Sequence, residues 1–213
     1  MLKRVLPQWK SLSASHIMTT NKKQKNKLIK DMGAIFTPVF YIFSFVAIAS
    51  AIIVCGFGWA TILTALFLIM LAACAAADIN EGIVPDLLAI LIAVLAIVRI
   101  LTNEFTIQNF ISYIGGAAVL SVPMLVVALI IKNGFGGGDI KMMAAAGLFL
   151  GLNNTIIAGF IAFLIAGSYG LFILFTKKGE AKTKIRLAPY LAVGCAFAEL
   201  FGDAFLAIFR SIL

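Results

Sequence analysis

The chain has 213 residues, of which 62% are hydrophobic and only 12% are charged, and its mean hydropathy is +1.09. This composition excludes an ordinary soluble domain and indicates an all-α, polytopic integral membrane protein surrounded by a lipid bilayer. The net charge of +8 does not indicate a nucleic-acid partner, because the basic residues flank apolar segments, where they orient the protein and contact anionic lipids.

Uncharged blocks predict the helices in chain order. A bilayer core of about 30 Å needs roughly 20 apolar residues per helix. The blocks divide into helices over residues 34–55, 59–77, 83–101, 108–131, 140–152, 155–176 and 187–208. We therefore expect a bundle of about six to seven transmembrane helices. The fifth is short, since a helix from Asp139 to Asn153 rises only about 22 Å at ~1.5 Å per residue.

The first 33 residues form the first of two predicted domains. They carry eight Lys and Arg residues against Asp31 alone, and such a segment stays in the cytoplasm by the positive-inside rule. They lack a sustained apolar period, so we expect a flexible basic arm. Residues 34–213 then form the membrane-embedded domain.

The basic residues also set the orientation of the helices. Counting spans from a cytoplasmic N-terminus places the loops at 78–86, 132–141 and 177–186 on the cytoplasmic side. Fifteen of the seventeen Lys and Arg residues then lie inside, as the positive-inside rule requires. The same layout predicts that Asp78 and Asp139 lie at one membrane face.

Several kinds of catalytic chemistry are excluded by residue content. Cys55, Cys74 and Cys195 lie in apolar segments and form no C-x-x-C pair, so neither a zinc site nor a disulfide framework is indicated. His16 is the only histidine, which excludes an H-E-x-x-H metalloprotease and a Ser-His protease. Ser168, which follows Gly167, is expected only to help helices pack closely. We expect no metal and no cofactor.

Two carboxylates stand at predicted membrane boundaries. Asp78 ends the uncharged stretch 32–77, and Asp139 follows the glycine run 136–138. An ionisable residue at such a place indicates a functional site, and two acids that share one proton meet the working requirement of an aspartic protease. The alternative is structural, with Asp139 capping a helix and Asp78 merely ending a span.

Two further acids lie on the last predicted helix. Glu199 and Asp203 are one helical turn apart and therefore share a face. Their depth along the helix predicts a position near the external interface. They can be boundary polar groups or a polar, proton-conducting site.

Three ordered segments resemble the type IV prepilin peptidase family. Residues 78–86, DINEGIVPD, are similar to the family's first aspartate motif, in which Asp is followed seven residues later by Pro and then by Asp or Asn. Residues 136–141, GGGDIK, resemble its G-x-G-D-x-K segment. Residues 187–194, LAPYLAVG, are similar to its Pro-aromatic-Leu segment.

The resemblance implies a membrane aspartic endopeptidase of a bacterial or archaeal plasma membrane. Such an enzyme removes the short basic leader of type IV prepilins and pseudopilins at the cytoplasmic face. Asp78 and Asp139 match the catalytic pair, and Gly136 and Gly138 match the motif glycines. Glycines there let the backbone turn sharply and approach a substrate strand, while Pro85 is expected in the first turn of the next helix.

Three further charged residues lie close to the aspartates in the sequence. Glu81 and Asp86 are expected either to attract the basic leader or only to cap the helix that begins near Ile83. The side chain of Lys141 is expected to leave its helix on another face and to anchor the protein at the membrane surface rather than to tune Asp139.

Other readings stay open beside the prepilin one. Many family members also carry paired C-x-x-C motifs linked to methylation, which this chain lacks, so the resemblance predicts peptidase activity alone. A presenilin-like protease shares G-x-G-D, but that family has Tyr where this chain has Ala77. A transporter using the acids as a cation or proton site would have inverted repeats, and none is apparent.

Overall fold

The computed structural model describes residues 49, 58–103, 106–131, 135–175 and 186–212. Within the four long ranges of this description the chain is helical, with six α-helices and no strand. In chain order these are α1 (Trp59–Glu81), α2 (Asp86–Thr102), α3 (Ile107–Ile130), α4 (Gly137–Leu150), α5 (Leu152–Phe175) and α6 (Ala188–Ile212). The predicted arm and, apart from Ala49, the predicted helix 34–55 lie outside the described residues.

Four of these helices are long and apolar enough to cross a bilayer, namely α1, α3, α5 and α6. The all-α, multi-pass membrane class expected from composition is therefore confirmed. The two others are shorter, with 17 residues in α2 and 14 in α4. At ~1.5 Å per residue α4 rises about 21 Å, less than the ~30 Å bilayer core, as its short apolar block predicted.

The first two helices are displaced from their predicted limits. α1 continues four residues beyond the expected end at 77, so Asp78 lies in its last turn and not after it. Gly82, with φ 71°, ends α1 in the left-handed conformation that glycine adopts readily. Pro85 immediately precedes the first turn of α2, which begins at Asp86 and not near Ile83. The prediction that Pro85 lies inside that turn is wrong by one position.

The short helix α4 lies inside the bundle, in contact with α2, α3, α5 and α6. Half of its 14 residues are buried, and its Phe149 stacks on Phe67 of α1 with ring centroids 4.0 Å apart. The largest fully buried side chains come from α1, α2, α4, α5 and α6: Phe67, Phe149, Leu71, Ile92, Met142, Met143, Leu191, Thr155, Cys74 and Cys195. Asp139 therefore begins a helix whose remainder is fixed by the core.

Helices α3 and α4 cross at a pair of glycines. A Cβ atom added to Gly116 would overlap the carbonyl oxygen of Gly147, and one added to Gly147 would overlap that of Gly116. Only glycine lets the two backbones approach so closely. The expected close packing at Gly167 and Ser168 is not made with any described residue: Ser168 donates to Leu164 on its own helix, and no described atom lies within 4 Å of a Cβ at Gly167.

We expect Gly116→Ala and Gly147→Ala each to lower the free energy of unfolding in detergent by about 1–3 kcal/mol, because the added methyl forces two backbones apart. Gly115→Ala is the matched control, since its Cβ would meet only the Leu152 side chain at 3.4 Å. It should leave the stability unchanged or slightly higher. Equal unfolding curves for all three variants would show that this crossing is not tightly packed.

An ion pair inside the bundle connects α2 and α6, and a threonine of α1 joins it. Arg99 of α2 pairs with Glu199 of α6 at 2.5 Å, and their side chains are 26% and 3% exposed. Thr64 of α1 donates to the same carboxylate oxygen at 2.8 Å, and the Arg99 guanidinium lies 4.3 Å from the Phe149 ring centroid. The sequence analysis placed Glu199 at a boundary and missed its partner, whereas Asp203 is exposed.

Candidate active site

The start of α4 is packed against the link between α1 and α2. A Cβ at Gly138 would lie 2.9 Å from the carbonyl oxygen of Val84 and 3.0 Å from its Cβ, so glycine is needed for this approach. Val84 is itself buried. The link thus brings the last turn of α1, which holds Asp78, to the first turn of α4, which holds Asp139.

Gly136, the other motif glycine, leaves room for the carboxyl group of Asp139. A Cβ at Gly136 would lie 3.1 Å from Oδ2 of Asp139. Gly136 has φ −73° and ψ 137°, an extended conformation open to any residue. The expected sharp glycine turn is therefore absent at Gly136. Both motif glycines serve instead to leave space, because neither has a side chain.

Asp78 accepts hydrogen bonds from Arg186 and Ala188, at the start of α6. Its side chain is buried, with 6% of the residue exposed. The Arg186 guanidinium donates to the backbone carbonyl of Asp78 at 2.7 Å, and the backbone N–H of Ala188 donates to the Asp78 carboxyl. Oδ2 of Asp78 is buried and has no hydrogen-bond partner among the described residues, which leaves one oxygen able to bind a proton, a water or a substrate group.

Asp139 holds its proton more tightly than an ordinary aspartate. Burial, and secondarily the negative charge of Asp78, raise the pKa of Asp139 to about 6, against the opposing hydrogen bond from the Gly136 backbone. The two carboxyls are therefore close enough to interact electrostatically. Two carboxylates in such a position favour a state in which one proton is shared between them.

The sequence model of the type IV leader peptidase family matches residues 65–171, a segment that includes both aspartates and both motif glycines. The chain belongs to this family. The membership favours the prepilin-type resemblance over the presenilin-like and transporter alternatives.

Curated members of this family match about two thirds of the chain. The chain is 29% identical over 144 residues to the prepilin leader peptidase/N-methyltransferase of Bacillus subtilis, covering 67% of this chain and 57% of that protein. It is 28% identical over 141 residues to the protein of that name from Xanthomonas campestris, covering 65% and 49%, and 27% over 154 residues to that from Pseudomonas aeruginosa, covering 70% and 52%. The chain thus spans about half the length of these relatives. No solved structure matches it.

The third sequence motif, at residues 187–194, adjoins the first aspartate. Ala188 and Leu191 are fully buried, and the N–H of Ala188 contacts Asp78 directly. Sequence reasoning identified the segment 187–194 but gave Arg186 no role beyond orienting the helices. Its position one residue before the motif was the available signal.

Lys141 of α4 forms an ion pair with Asp86 of α2. Its Nζ lies 2.9 and 2.8 Å from the two carboxylate oxygens of Asp86, and both side chains are exposed, by 58% and 64%. The pair links the first turn of α4 to the first turn of α2. An exposed pair of this kind contributes only about 0–1 kcal/mol.

Proposed function

We propose that this chain is a membrane aspartic endopeptidase that removes the short basic leader of type IV prepilins or pseudopilins. Asp78 and Asp139 form its catalytic pair. The observation that carries the proposal is the meeting of two aspartates from distant motifs, where burial and, secondarily, the charge of Asp78 raise the pKa of Asp139 to about 6. Membership of the leader peptidase family and the names of the curated relatives supply the substrate class.

The shared proton allows hydrolysis without a metal or cofactor, neither of which we expect to take part. The ionised carboxyl takes a proton from water as the water oxygen attacks the scissile carbonyl carbon. The protonated carboxyl gives its proton to the carbonyl oxygen, which yields a neutral tetrahedral diol. In the second step the first carboxyl gives its new proton to the leaving nitrogen, and the second carboxyl takes a proton from a hydroxyl of the diol. The C–N bond breaks, and both carboxyls return to their starting protonation states.

We further propose that this end of the bundle faces the cytoplasm, with a cytoplasmic N-terminal arm, six to seven spanning helices and a membrane domain over 34–213. In this orientation fifteen of the seventeen Lys and Arg residues lie on the cytoplasmic side, which the positive-inside rule favours. It places the aspartates where a basic leader meets its apolar stem. The absence of the methylating activity named in the relatives stays a prediction.

Glu81 is the best candidate to attract the leader. It is exposed in the last turn of α1, and the start of α2 has no side-chain capping hydrogen bond, which favours attraction of the leader over capping of α2. Asp86 already pairs with Lys141. We expect Glu81→Gln to raise KM about two- to fivefold at low salt with kcat unchanged, because exposed charges act within roughly 8–10 Å at physiological salt.

Asp86→Asn is the matched control for this experiment and should raise KM less than Glu81→Gln does. Initial rates with a leader peptide at 20 mM and at 300 mM salt would show the difference. If neither variant alters KM at the lower salt, the steering role of both acids is rejected.

The function is tested by incubating the purified protein in detergent with a synthetic prepilin-type substrate, a basic leader ending in Gly before an apolar helix. Mass spectrometry of the products should show a single cut after the Gly. A membrane-spanning stub without a leader is the comparison substrate. Cleavage of the stub and not of the prepilin would contradict the proposal.

A further inference from the structure

Arg186 places a positive charge beside one aspartate of the pair. Its guanidinium donates to the backbone oxygen of Asp78 at 2.7 Å in a partly buried position, and its charge acts on the Asp78 carboxyl. The contact joins residues 108 positions apart. It fixes the last turn of α1 and supplies a counter-charge at the same time.

The first turn of α6 acts on the same carboxyl. Ala188 is the first residue of α6, and its backbone N–H is one of the donors that a helix start leaves without an intrahelical partner. No acidic residue of α6 itself lies in that turn. Asp78 therefore supplies the acceptor from α1, at the end of a helix where the dipole stabilises an anion.

Asp139 shares burial and a helix start with Asp78, but not the arginine. Its hydrogen bond comes from the Gly136 backbone at the start of its own helix. Burial disfavours the charged form of both carboxyls. The other charged groups of the described helix ends here are Glu81, which is exposed, and the Lys141–Asp86 pair, whose charges offset each other. Among the described residues, the charge of Arg186 is therefore the feature that distinguishes the two aspartates.

We propose that Arg186 is a positioning residue that divides the work of the two aspartates, holding Asp78 as the ionised base and leaving the shared proton on Asp139. The assignment rests on the proposed peptidase function. Asp78 then takes the proton from the attacking water, and Asp139 protonates the carbonyl oxygen. In the second step Asp78 protonates the leaving nitrogen while Asp139 recovers its proton.

Three substitutions separate charge from hydrogen bonding at this position. Arg186→Lys keeps the charge, Arg186→Gln keeps a hydrogen-bond donor without the charge, and Arg186→Met keeps neither. Arg210→Met is the matched control, because Arg210 is an exposed arginine in the last turn of α6, far along the chain from Arg186. All are made in the full chain and assayed in detergent.

The first readout is the pH dependence of kcat/KM on a prepilin-type peptide. A change of one pH unit in an ionisation corresponds to a tenfold change in the ionised fraction. We expect the acid limb to move to higher pH by about one unit in Arg186→Met and Arg186→Gln, with about tenfold lower kcat/KM at pH values below the wild-type midpoint. Arg186→Lys should retain most of the wild-type profile, and Arg210→Met all of it.

The second readout needs no substrate. The ¹³Cγ resonance of Asp139, assigned with Asp139→Asn, is titrated in protein labelled at aspartate. Without Arg186 the shared proton passes partly to Asp78, so Asp139 titrates beside a less charged neighbour. Its midpoint should therefore fall by about half a unit or more in Arg186→Met and Arg186→Gln, and stay fixed in Arg210→Met.

The outcomes separate the two proposals. If Arg186→Gln restores both the pH profile and the Asp139 midpoint, Arg186 acts only through its backbone contact, and the division of roles is overturned. An unmoved midpoint in Arg186→Met overturns it as well. If the wild type cleaves no prepilin-type substrate, the peptidase proposal fails, while the Asp139 titration still decides what Arg186 does.

Discussion

Asp78→Asn and Asp139→Asn are each expected to lower kcat for leader cleavage by at least about 100- to 10,000-fold, the range that a general acid or base contributes. An amide can neither accept a proton from water nor carry the shared proton. Single-turnover rates with purified protein in detergent provide the measurement. Asp203→Asn, the same substitution at an exposed site on α6, is the control and should keep nearly full activity.

The Asp139 variant should also be well folded, with a distinctive dependence of stability on pH. Burial and the charge of Asp78 raise the pKa of Asp139 from 3.8 to about 6, so the folded protein binds the proton more tightly than the unfolded chain. The resulting stabilisation is complete below about pH 4 and is lost as pH rises through about 6. Asp139→Asn should remove this pH dependence. Substantial turnover by a folded Asn variant at either position would contradict the assignment of the pair.

The largest loss of stability is expected from breaking the Arg99–Glu199 pair. Glu199→Gln or Arg99→Met should lower the free energy of unfolding by about 3 kcal/mol, the lower end of the range for a buried pair, because the Arg99 side chain is 26% exposed. Each change leaves a charge without its counter-charge inside the protein. Unfolding in mixed micelles would measure the loss, and Asp203→Asn should change little.

A double replacement provides the sharper comparison. Arg99→Met combined with Glu199→Met removes both charges, and apolar side chains in place of a buried pair are often neutral or stabilising. The double variant should therefore be more stable than either single variant. Additive losses would show that the pair is not an isolated electrostatic unit and that Thr64 or the Phe149 ring carries part of the effect.

The sequence predicted the helices well because a bilayer imposes a strong constraint on length and polarity. It predicted their ends less well, because those depend on local backbone geometry. α1 runs on to Gly82, whose left-handed conformation ends it, and this carries Asp78 from a presumed loop into a helical turn. The extended conformation of Pro85 then delays α2 until Asp86.

The contacts that shape the candidate site could not be read from the sequence. Arg186 reaches Asp78 across 108 residues, and Lys141 reaches Asp86 across 55. Nothing in a single sequence shows which charges meet after helices have packed. The two motif glycines were predicted to allow a sharp turn, but the structure shows a different reason for them. A side chain at Gly138 would collide with Val84, and one at Gly136 would crowd the Asp139 carboxyl.

The Arg99–Glu199 pair also bears on how the protein is assembled during synthesis. The two residues are 100 positions apart, and a chain made from its N-terminus delivers α2 to the membrane well before α6. Until α6 arrives, Arg99 has to reach toward the interface or draw water to itself. We expect α6 to complete the assembly of the helix bundle. Ribosome-bound chains that end before Ala188 should stay bound to the insertion and degradation machinery of the membrane, and longer chains should be released from it.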